Sequence, residues 1–324
     1  MTTSLIRTVR SSKANRLLRE QALGGKPRKR AWWRRFNWFD VLVLLLTVTF
    51  ALICFYPMWY VFVASITPYD DFIRDKIMFL PPADPDFQYY KAIFSTPVFA
   101  QSLFISVIKT VLGTVLSLLI TSMMAYAVSK VHVKGMKVIN ALVVFNLFFT
   151  GGLIPEYMLY NDIGMLRTFW VMVIPGALNI VYYIIMRNYF SYASSKELEE
   201  AARIDGANEV RLFFMIVMPL ARPMLAAVGL FIAVIHWNDY YSYMMFVSNQ
   251  PDLQPFAWIL RRTLVDPSMM NQVRNEAMAV GMPAIPPIGL RMATIIVALL
   301  PILMVYPFLQ KHFAKGILIG AVKE

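Results

Sequence analysis

Side chains that could carry chemistry are few in this chain of 324 residues, and they do not gather into a catalytic group. The three histidines, His132, His236 and His312, fall in separate regions without a carboxylate cluster, which favours structural roles. The single cysteine, Cys54, lies in an apolar run without a Cys or His partner at metal-ligand spacing. The sequence shows no nucleophile elbow, no paired-carboxylate site and no glycine-rich phosphate loop ending in Lys-Ser or Lys-Thr. We therefore expect no catalytic residue, no metal site and no cofactor bound by this chain.

The most distinctive polar segment, SSKELEEAARIDGANEVRLFFMIVMP at 194–219, lies between two long apolar runs. Ser194 and Glu197 have the spacing of a capping box, which predicts that a helix begins there. Gly206 is a natural helix stop, and Asn208 can cap the next helix. The segment therefore predicts a short surface helix before the chain enters the membrane.

Small residues on one side of this predicted helix would let another surface approach closely. That side ends in a carboxylate and consists of Leu198, Ala201, Ala202 and Asp205. Glu199 and Arg203, four residues apart, support the helix by a few tenths of a kcal/mol. These features fit a docking helix, although an ordinary amphipathic surface connector would have a similar composition.

The elements around this segment are those of an integral membrane protein. Hydrophobic residues make up 58% of the chain and charged residues only 15%, whereas soluble domains carry about a quarter charged residues. Several apolar runs exceed the roughly 20 residues that a helix needs to cross a bilayer. We predict an all-α fold with about six membrane-spanning helices, at 39–66, 103–128, 138–159, 169–186, 213–235 and 292–308.

The charge distribution predicts how the chain is oriented. Much of the net charge of +12 lies in an amino-terminal arm, residues 1–38, which we expect to be held at the anionic cytoplasmic face. Binding of nucleic acid by this arm is the alternative, and no cleavable signal peptide is expected. Alternation then places residues 194–219 in the cytoplasm together with the tail, 313–324, and leaves 39–312 as the membrane domain.

The order of residues in EAARIDGANEVRLFFMIVMP resembles the EAA loop of permease subunits of bacterial ABC importers. The matching positions are Glu200, Ala201, Ala202, Asp205, Gly206, Ile216 and Pro219. Asp205-Gly206-Ala207 resembles the carbohydrate-importing branch, as do TGGLIPEYMLYNDIGML, WNDYY and the carboxyl-terminal stretch. Met218 replaces the usual Leu, Ser195 stands where Pro is frequent, and residues 1–30 have no counterpart.

The resemblance implies a type I ABC importer permease fold of the maltose-transporter type in the bacterial plasma membrane, with both termini cytoplasmic. Such a permease pairs with a second, related permease to form a translocation path for a sugar, often an oligosaccharide. Two ATPase subunits bind ATP and Mg, and an extracytoplasmic binding protein delivers the sugar; nucleic acid is not a partner. The coupling residues implied are Glu200, Ala201, Ala202, Asp205, Gly206 and Ala207, while Ile216 and Pro219 fix the angle to the next helix.

A sugar path needs aromatic faces for C–H groups and polar groups for hydroxyls. Candidates are Asn179, Tyr182, Tyr183, Trp237, Asn238, Tyr240 and Tyr241. The alternative for Trp237, Tyr240 and Tyr241 is the aromatic belt at a membrane interface. Asn179, among apolar neighbours, fits either a path or a contact between helices.

Other functions remain open at this point. The same fold imports other nutrients, such as polyamines or phosphonates. A channel or ion-coupled secondary transporter would function without ATPase partners, but such proteins usually carry mid-membrane carboxylates, in which this chain is poor. A membrane enzyme would need the catalytic group that the sequence lacks. The identity of the sugar cannot be predicted from this sequence, because the binding protein usually sets selectivity in such systems.

Overall fold

The computed structural model describes residues 38–74, 80–130, 133–193, 196–279, 281 and 286–320. The predicted arm at 1–38 therefore lies outside the described residues, apart from Trp38. The chain divides into two units, Met1–Met58 and Trp59–Glu324. Each buried apolar cluster of the described residues belongs to the second unit.

The described residues form helices and contain no strand. The helices of the amino-terminal half are α1 (Trp38–Ser65), α2 (Tyr69–Arg74), α3 (Gln88–Ser95), α4 (Pro97–Ser129), α5 (Met136–Phe145), α6 (Leu153–Asp162) and α7 (Ile180–Ala193). Those of the carboxyl-terminal half are α8 (Lys196–Ile204), α9 (Glu209–Leu212), α10 (Met218–Leu220), α11 (Arg222–Asn238), α12 (Tyr241–Phe246), α13 (Phe256–Val265), α14 (Pro267–Ala279) and α15 (Pro287–Gly320). Short 3₁₀ helices cover Phe169–Met172, Pro175–Ala177 and Pro251–Leu253, and a π-helix covers Phe213–Val217.

Three described helices are long and apolar enough to cross a membrane by themselves: Trp38–Ser65, Pro97–Ser129 and Pro287–Val305. Two further pairs of helices qualify as bent spans. Phe169–Ala177 meets Ile180–Ser191 at 41°, and Glu209–Leu220 meets Arg222–Asn238 at 85°. Helices suit a bilayer because they satisfy every backbone polar group internally. The prediction of an all-α membrane protein is confirmed.

The third predicted span, 138–159, is divided into two short helices, α5 and α6. The break falls at residues 146–152, where Gly152 has a φ of +87°. A left-handed φ of this kind is natural for glycine. Pro155 then lies in the first turn of α6, where proline is tolerated. The glycine pair therefore interrupts a run that hydropathy alone reads as continuous.

Helix α4 is central to the second unit and packs against α7 and α11. Its buried side is small and polar, and includes Ser102, Ser106, Gly113, Ser117 and Thr121. Large apolar side chains cover its exposed side: Phe104, Val107, Val111 and Val115. Small residues let neighbouring helices approach closely in a membrane, where apolar side chains can face lipid. This pattern explains how α4 packs closely against α7 and α11 on one side and presents apolar side chains on the other.

Candidate coupling and translocation sites

Helix α8 ends at Gly206, as the sequence predicts. Gly206 has a φ of +82°. The Ala207 N–H donates to the Ala202 carbonyl at 2.9 Å, and the Gly206 N–H donates to the Arg203 carbonyl at 3.0 Å. This is the hydrogen-bond pattern of a Schellman motif, and it needs a left-handed residue at the position of Gly206. The proposed Ser194 cap lies outside the described residues.

Asn208 caps the following helix, which confirms the second local prediction. Its side-chain oxygen accepts a hydrogen bond from the Arg211 N–H at 2.8 Å, at the start of α9. A stop at Gly206 and a new cap two residues later fix the turn between α8 and α9. The direction of α8 is therefore determined by local backbone chemistry.

The predicted docking side of α8 is divided by the structure. Ala201 and Asp205 are exposed, as are Leu198 and Ile204, the latter to 87%. Ala202 is buried in the cluster that contains Tyr126, Phe190 and Phe213. Successive helical residues point about 100° apart, so Ala201 faces out while Ala202 faces the cluster. The expectation that all four small-face residues share one surface is corrected for Ala202.

A buried ion pair fixes α8 to the end of α4. Glu199 is 5% exposed, and its carboxylate accepts from Lys130 Nζ at 2.5 Å. Lys130 directly follows α4 and lies 4.4 Å from the centre of the Tyr126 ring. The predicted Glu199–Arg203 pair is also present, at 3.5 Å. The sequence did not reveal Lys130 as the nearer partner because it lies 69 residues away.

Arg203 joins α8 to α9. Its Nε donates to Glu209 at 2.8 Å, and this hydrogen bond holds the pKa of the guanidinium above its usual value. A cavity of about 340 Å³ with mostly apolar walls lies between α4, Arg203, Glu209 and Phe213. The ion pairs therefore bridge α4, α8 and α9 beside a space that apolar packing leaves open.

Two of the three remaining coupling candidates lie where the chain turns into the fifth span. Ile216, half-buried, is in the π-helix Phe213–Val217, and Pro219 is in α10. The 85° bend follows immediately, between α10 and α11. Glu200 of α8 is exposed. The fifth predicted span is thus a broken helix, with Ile216 and Pro219 on the side of the break nearest α8.

Three of the translocation-path candidates are engaged in contacts within the chain. The Asn179 side-chain oxygen accepts from the Val181 and Tyr182 N–H groups at 3.1 and 3.2 Å, so it caps α7. Tyr183 is fully buried, and its hydroxyl donates to Asn140 at 3.0 Å. Trp237 is 7% exposed, and its Nε1 donates to the Ala298 carbonyl at 3.0 Å. Tyr183 and Trp237 therefore connect helices, and Asn179 fixes the start of α7.

The other candidates are open to a ligand to different extents. Asn238 and Tyr241 are exposed, although the Asn238 Nδ2 donates to the Val234 carbonyl at 2.9 Å. Tyr240 is half-buried beneath the Arg261 guanidinium, which lies 4.6 Å from the centre of its ring. Tyr182, also half-buried, stacks on Phe231 at 6.1 Å. Asn238 and Tyr241 are therefore the members of the set best placed to contact a ligand.

A buried ion pair beside these residues was not predicted from the sequence. Lys109, in α4, is fully buried, and its Nζ donates to the Asp239 carboxylate at 2.6 Å and to the Asp239 carbonyl at 2.7 Å. Asp239 also accepts from the Ser242 N–H at 3.1 Å, so it fixes the corner between α11 and α12. The available signal was a lone lysine within an apolar run, which in a membrane marks a functional position by default.

His236 lies one turn before this corner and has a structural setting. A Cβ at Gly113 would come within 2.7 Å of the imidazole ring, so the glycine makes room for it. His236 Nε2 lies 3.4 Å from the Ser117 hydroxyl. The prediction that this histidine is structural fits its contacts with α4.

Comparison with known proteins identifies the class. No family model matches the chain. It is 39% identical over 285 residues to the polygalacturonan/rhamnogalacturonan transport system permease protein YtcP of Bacillus subtilis (strain 168), covering 88% of this chain and 98% of the relative. The chain is thus similar over most of its length to a transport permease.

Solved structures agree with this class. One chain, from a bacterial ABC transporter that imports the acidic polysaccharide alginate, is 31% identical with a TM-score of 0.77, covering 85% of this chain and 96% of that one. A second chain comes from a bacterial alginate ABC transporter in complex with an alginate pentasaccharide-bound periplasmic protein. Its TM-score is 0.51 at 15% identity, and the match covers 87% of this chain and 99% of that one, so it shows the fold. The chain belongs to the family of sugar-importing ABC transporter permease subunits.

Proposed function

We propose that this multi-pass permease forms half of the translocation path of an ATP-driven oligosaccharide importer, and that α8 is the helix on which a cytoplasmic ATPase acts. The observation that carries the proposal is the geometry of α8. Glu200, Ala201, Asp205 and Gly206 are exposed, and the helix behind them is fixed by the Gly206 motif and the Lys130–Glu199 pair. An exposed, anchored helix can transmit force from a partner.

The partners follow from this arrangement. Two ATPase subunits supply the ATP and Mg sites that this sequence lacks, and a second, related permease completes the path. An extracytoplasmic binding protein delivers the sugar, which is supported by the periplasmic protein in the solved alginate transporter complex. The complex lies in the bacterial plasma membrane, with the basic arm and the carboxyl terminus in the cytoplasm.

The substrate is an oligosaccharide or a fragment of a polysaccharide. The relative from Bacillus subtilis and the solved transporter are named for polygalacturonan/rhamnogalacturonan and alginate. Asn238 and Tyr241 supply an exposed amide and an exposed aromatic ring of the kind a sugar requires. Tyr240 precedes Tyr241 in the chain, and Tyr182 of α7 stacks on Phe231 of α11. Trp237 fixes α11 to α15 through its hydrogen bond to the Ala298 carbonyl.

Co-purification and uptake measurements test the proposal. An ATPase subunit is expected to co-purify with the wild-type chain. Gly206→Asp is expected to reduce uptake by about tenfold or more, because a side chain at φ +82° strains the turn that orients α8. Gly164→Asp is the matched control, since Gly164 also has a positive φ with open space around it and lies far from α8 in sequence. Normal uptake by Gly206→Asp, without a co-purifying ATPase, would refute the proposal.

A further inference from the structure

Helix α4 carries two lysines that are each paired with a carboxylate on another element. Lys109 lies within the helix, and Lys130 directly follows its last residue. At 1.5 Å per helical residue, the two positions are about 30 Å apart, which is the thickness of a bilayer core. The two lysines therefore fix α4 to different elements near opposite sides of the membrane.

The outer pair joins α4 to the corner between α11 and α12. Lys109 is fully buried, and its two acceptors, the carbonyl and the carboxylate, both belong to Asp239. Charges are costly inside a membrane unless they are paired. The corner cannot leave α4 without exposing an unpaired charge to an apolar interior, so corner and helix move together. The adjacent Asn238 and Tyr241, the exposed path candidates, move with them.

The inner pair joins α4 to the proposed coupling helix. Lys130 holds Glu199 of α8, and both side chains are at least four-fifths buried. Ala202 of α8 packs in the apolar cluster that contains Tyr126 of α4. A displacement of α8 therefore acts directly on the end of α4.

The direct route from α8 to the outer corner is less continuous. It passes through α9, the π-helix Phe213–Val217 and α10, and then bends by 85° before α11 begins. π-helical insertions and sharp bends interrupt the regular hydrogen-bond ladder of a helix. By contrast, α4 is one uninterrupted helix of 33 residues. Of the two connections, α4 is the stiffer.

We infer that α4 carries movement of α8 to the corner between α11 and α12, with Lys130 and Lys109 as positioning residues at its two attachment points. The inference rests on the proposed function, because it assumes that an ATPase moves α8. It has a specific consequence. Without either lysine, nucleotide binding on the cytoplasmic side no longer causes a rearrangement at Asn238.

Thiol accessibility tests the inference in the assembled complex with its ATPase and second permease. Cys54→Ser removes the native thiol, and Asn238→Cys places a reporter at the corner. The labelling rate with a membrane-impermeant maleimide is measured with and without a non-hydrolysable ATP analogue. We expect the nucleotide to change this rate, and Lys109→Met or Lys130→Met to reduce that change by about fivefold or more.

Three further variants separate this role from general damage. Lys137→Met is the matched control, because Lys137 is exposed on α5, and it is expected to keep the full nucleotide effect. Lys130→Arg keeps the charge and is expected to restore the effect, whereas a purely steric role for Lys130 would not be rescued. If Lys109→Met fails to assemble, Asp239→Asn replaces it, since it removes the charge and keeps the shape.

The outcomes are distinct. A full nucleotide effect in both the Lys109→Met and Lys130→Met complexes would overturn the role of α4 while leaving the proposed function intact. A reference complex that lacks the ATPase, or shows no nucleotide effect, would overturn the proposed function and the inference with it. Loss of the effect with retention of the ATPase supports the inference.

Discussion

The two lysine–carboxylate pairs of α4 use the same chemistry in different surroundings. Lys109 is fully buried and receives both of its acceptors from one residue, Asp239. Lys130 is 14% exposed and shares Glu199 with Arg203, which is itself a third exposed. The outer pair is thus a fixed attachment inside the bundle, and the inner pair belongs to a network near water. A coupling element needs both: a rigid connection where it acts and an adjustable one where force arrives.

The largest effect is expected at the outer pair. Lys109→Met leaves the Asp239 carboxylate without its buried cation and is expected to lower the free energy of unfolding by about 3–5 kcal/mol. Denaturant titration of the purified protein in detergent measures this change. The double variant Lys109→Met/Asp239→Leu should recover part of the loss, because no unpaired charge remains. A loss for Lys109→Met as small as that for the exposed Lys137→Met would contradict the assignment.

A smaller effect is expected at the inner pair. Glu199→Gln keeps the shape of the side chain but removes its charge, and the expected loss is about 1.5–3 kcal/mol, typical of hydrogen bonds to charged groups. The same titration measures it. Glu200→Gln, one residue later on the exposed surface, is the matched control and should leave the stability of the isolated permease unchanged. Equal losses from the two glutamine variants would remove the basis for the inner attachment.

The smallest expected effect is a difference in how salt changes the stability contributions of the two ion pairs. Raising ionic strength from about 0.1 M to about 1 M shortens the Debye length from about 10 Å to about 3 Å, which weakens partly exposed pairs more than buried ones. The stability difference between wild type and Glu199→Gln should therefore shrink by up to about 1 kcal/mol. The difference for Lys109→Met should stay constant. A salt-dependent difference for Lys109→Met with a constant one for Glu199→Gln would mean that the inner pair is the more deeply buried one.

Much of the fold and of the coupling segment could be predicted because the signals are local. Run length and apolarity identify membrane helices from the sequence alone. The stop at Gly206 and the cap at Asn208 depend on the backbone preferences of single residues, and both are present. The family resemblance was also predictable, since it is carried by a continuous ordered motif.

The features that could not be predicted depend on contacts between distant parts of the chain. Lys109 and Asp239 are 130 residues apart, and Lys130 and Glu199 are 69 apart, so no local pattern joins them. Whether Ala202 faces inward depends on the aromatic cluster behind α8. Trp237 was interpreted as either a path residue or an interface anchor, but its Nε1 bonds to Ala298 of α15. The 85° angle before α11 also has no local signal in the sequence.

The most direct test of the coupling role is a cross-linking experiment at α8. In the Cys54→Ser background, Ala201→Cys, exposed on α8, is modified with a photoactivatable maleimide in the assembled complex. Asn249→Cys, exposed after α12, is the control. We predict a cross-link to the ATPase subunit from position 201 and none from position 249. Absence of an ATPase cross-link from position 201, in a complex that retains the ATPase, would contradict the assignment of α8 as the coupling helix.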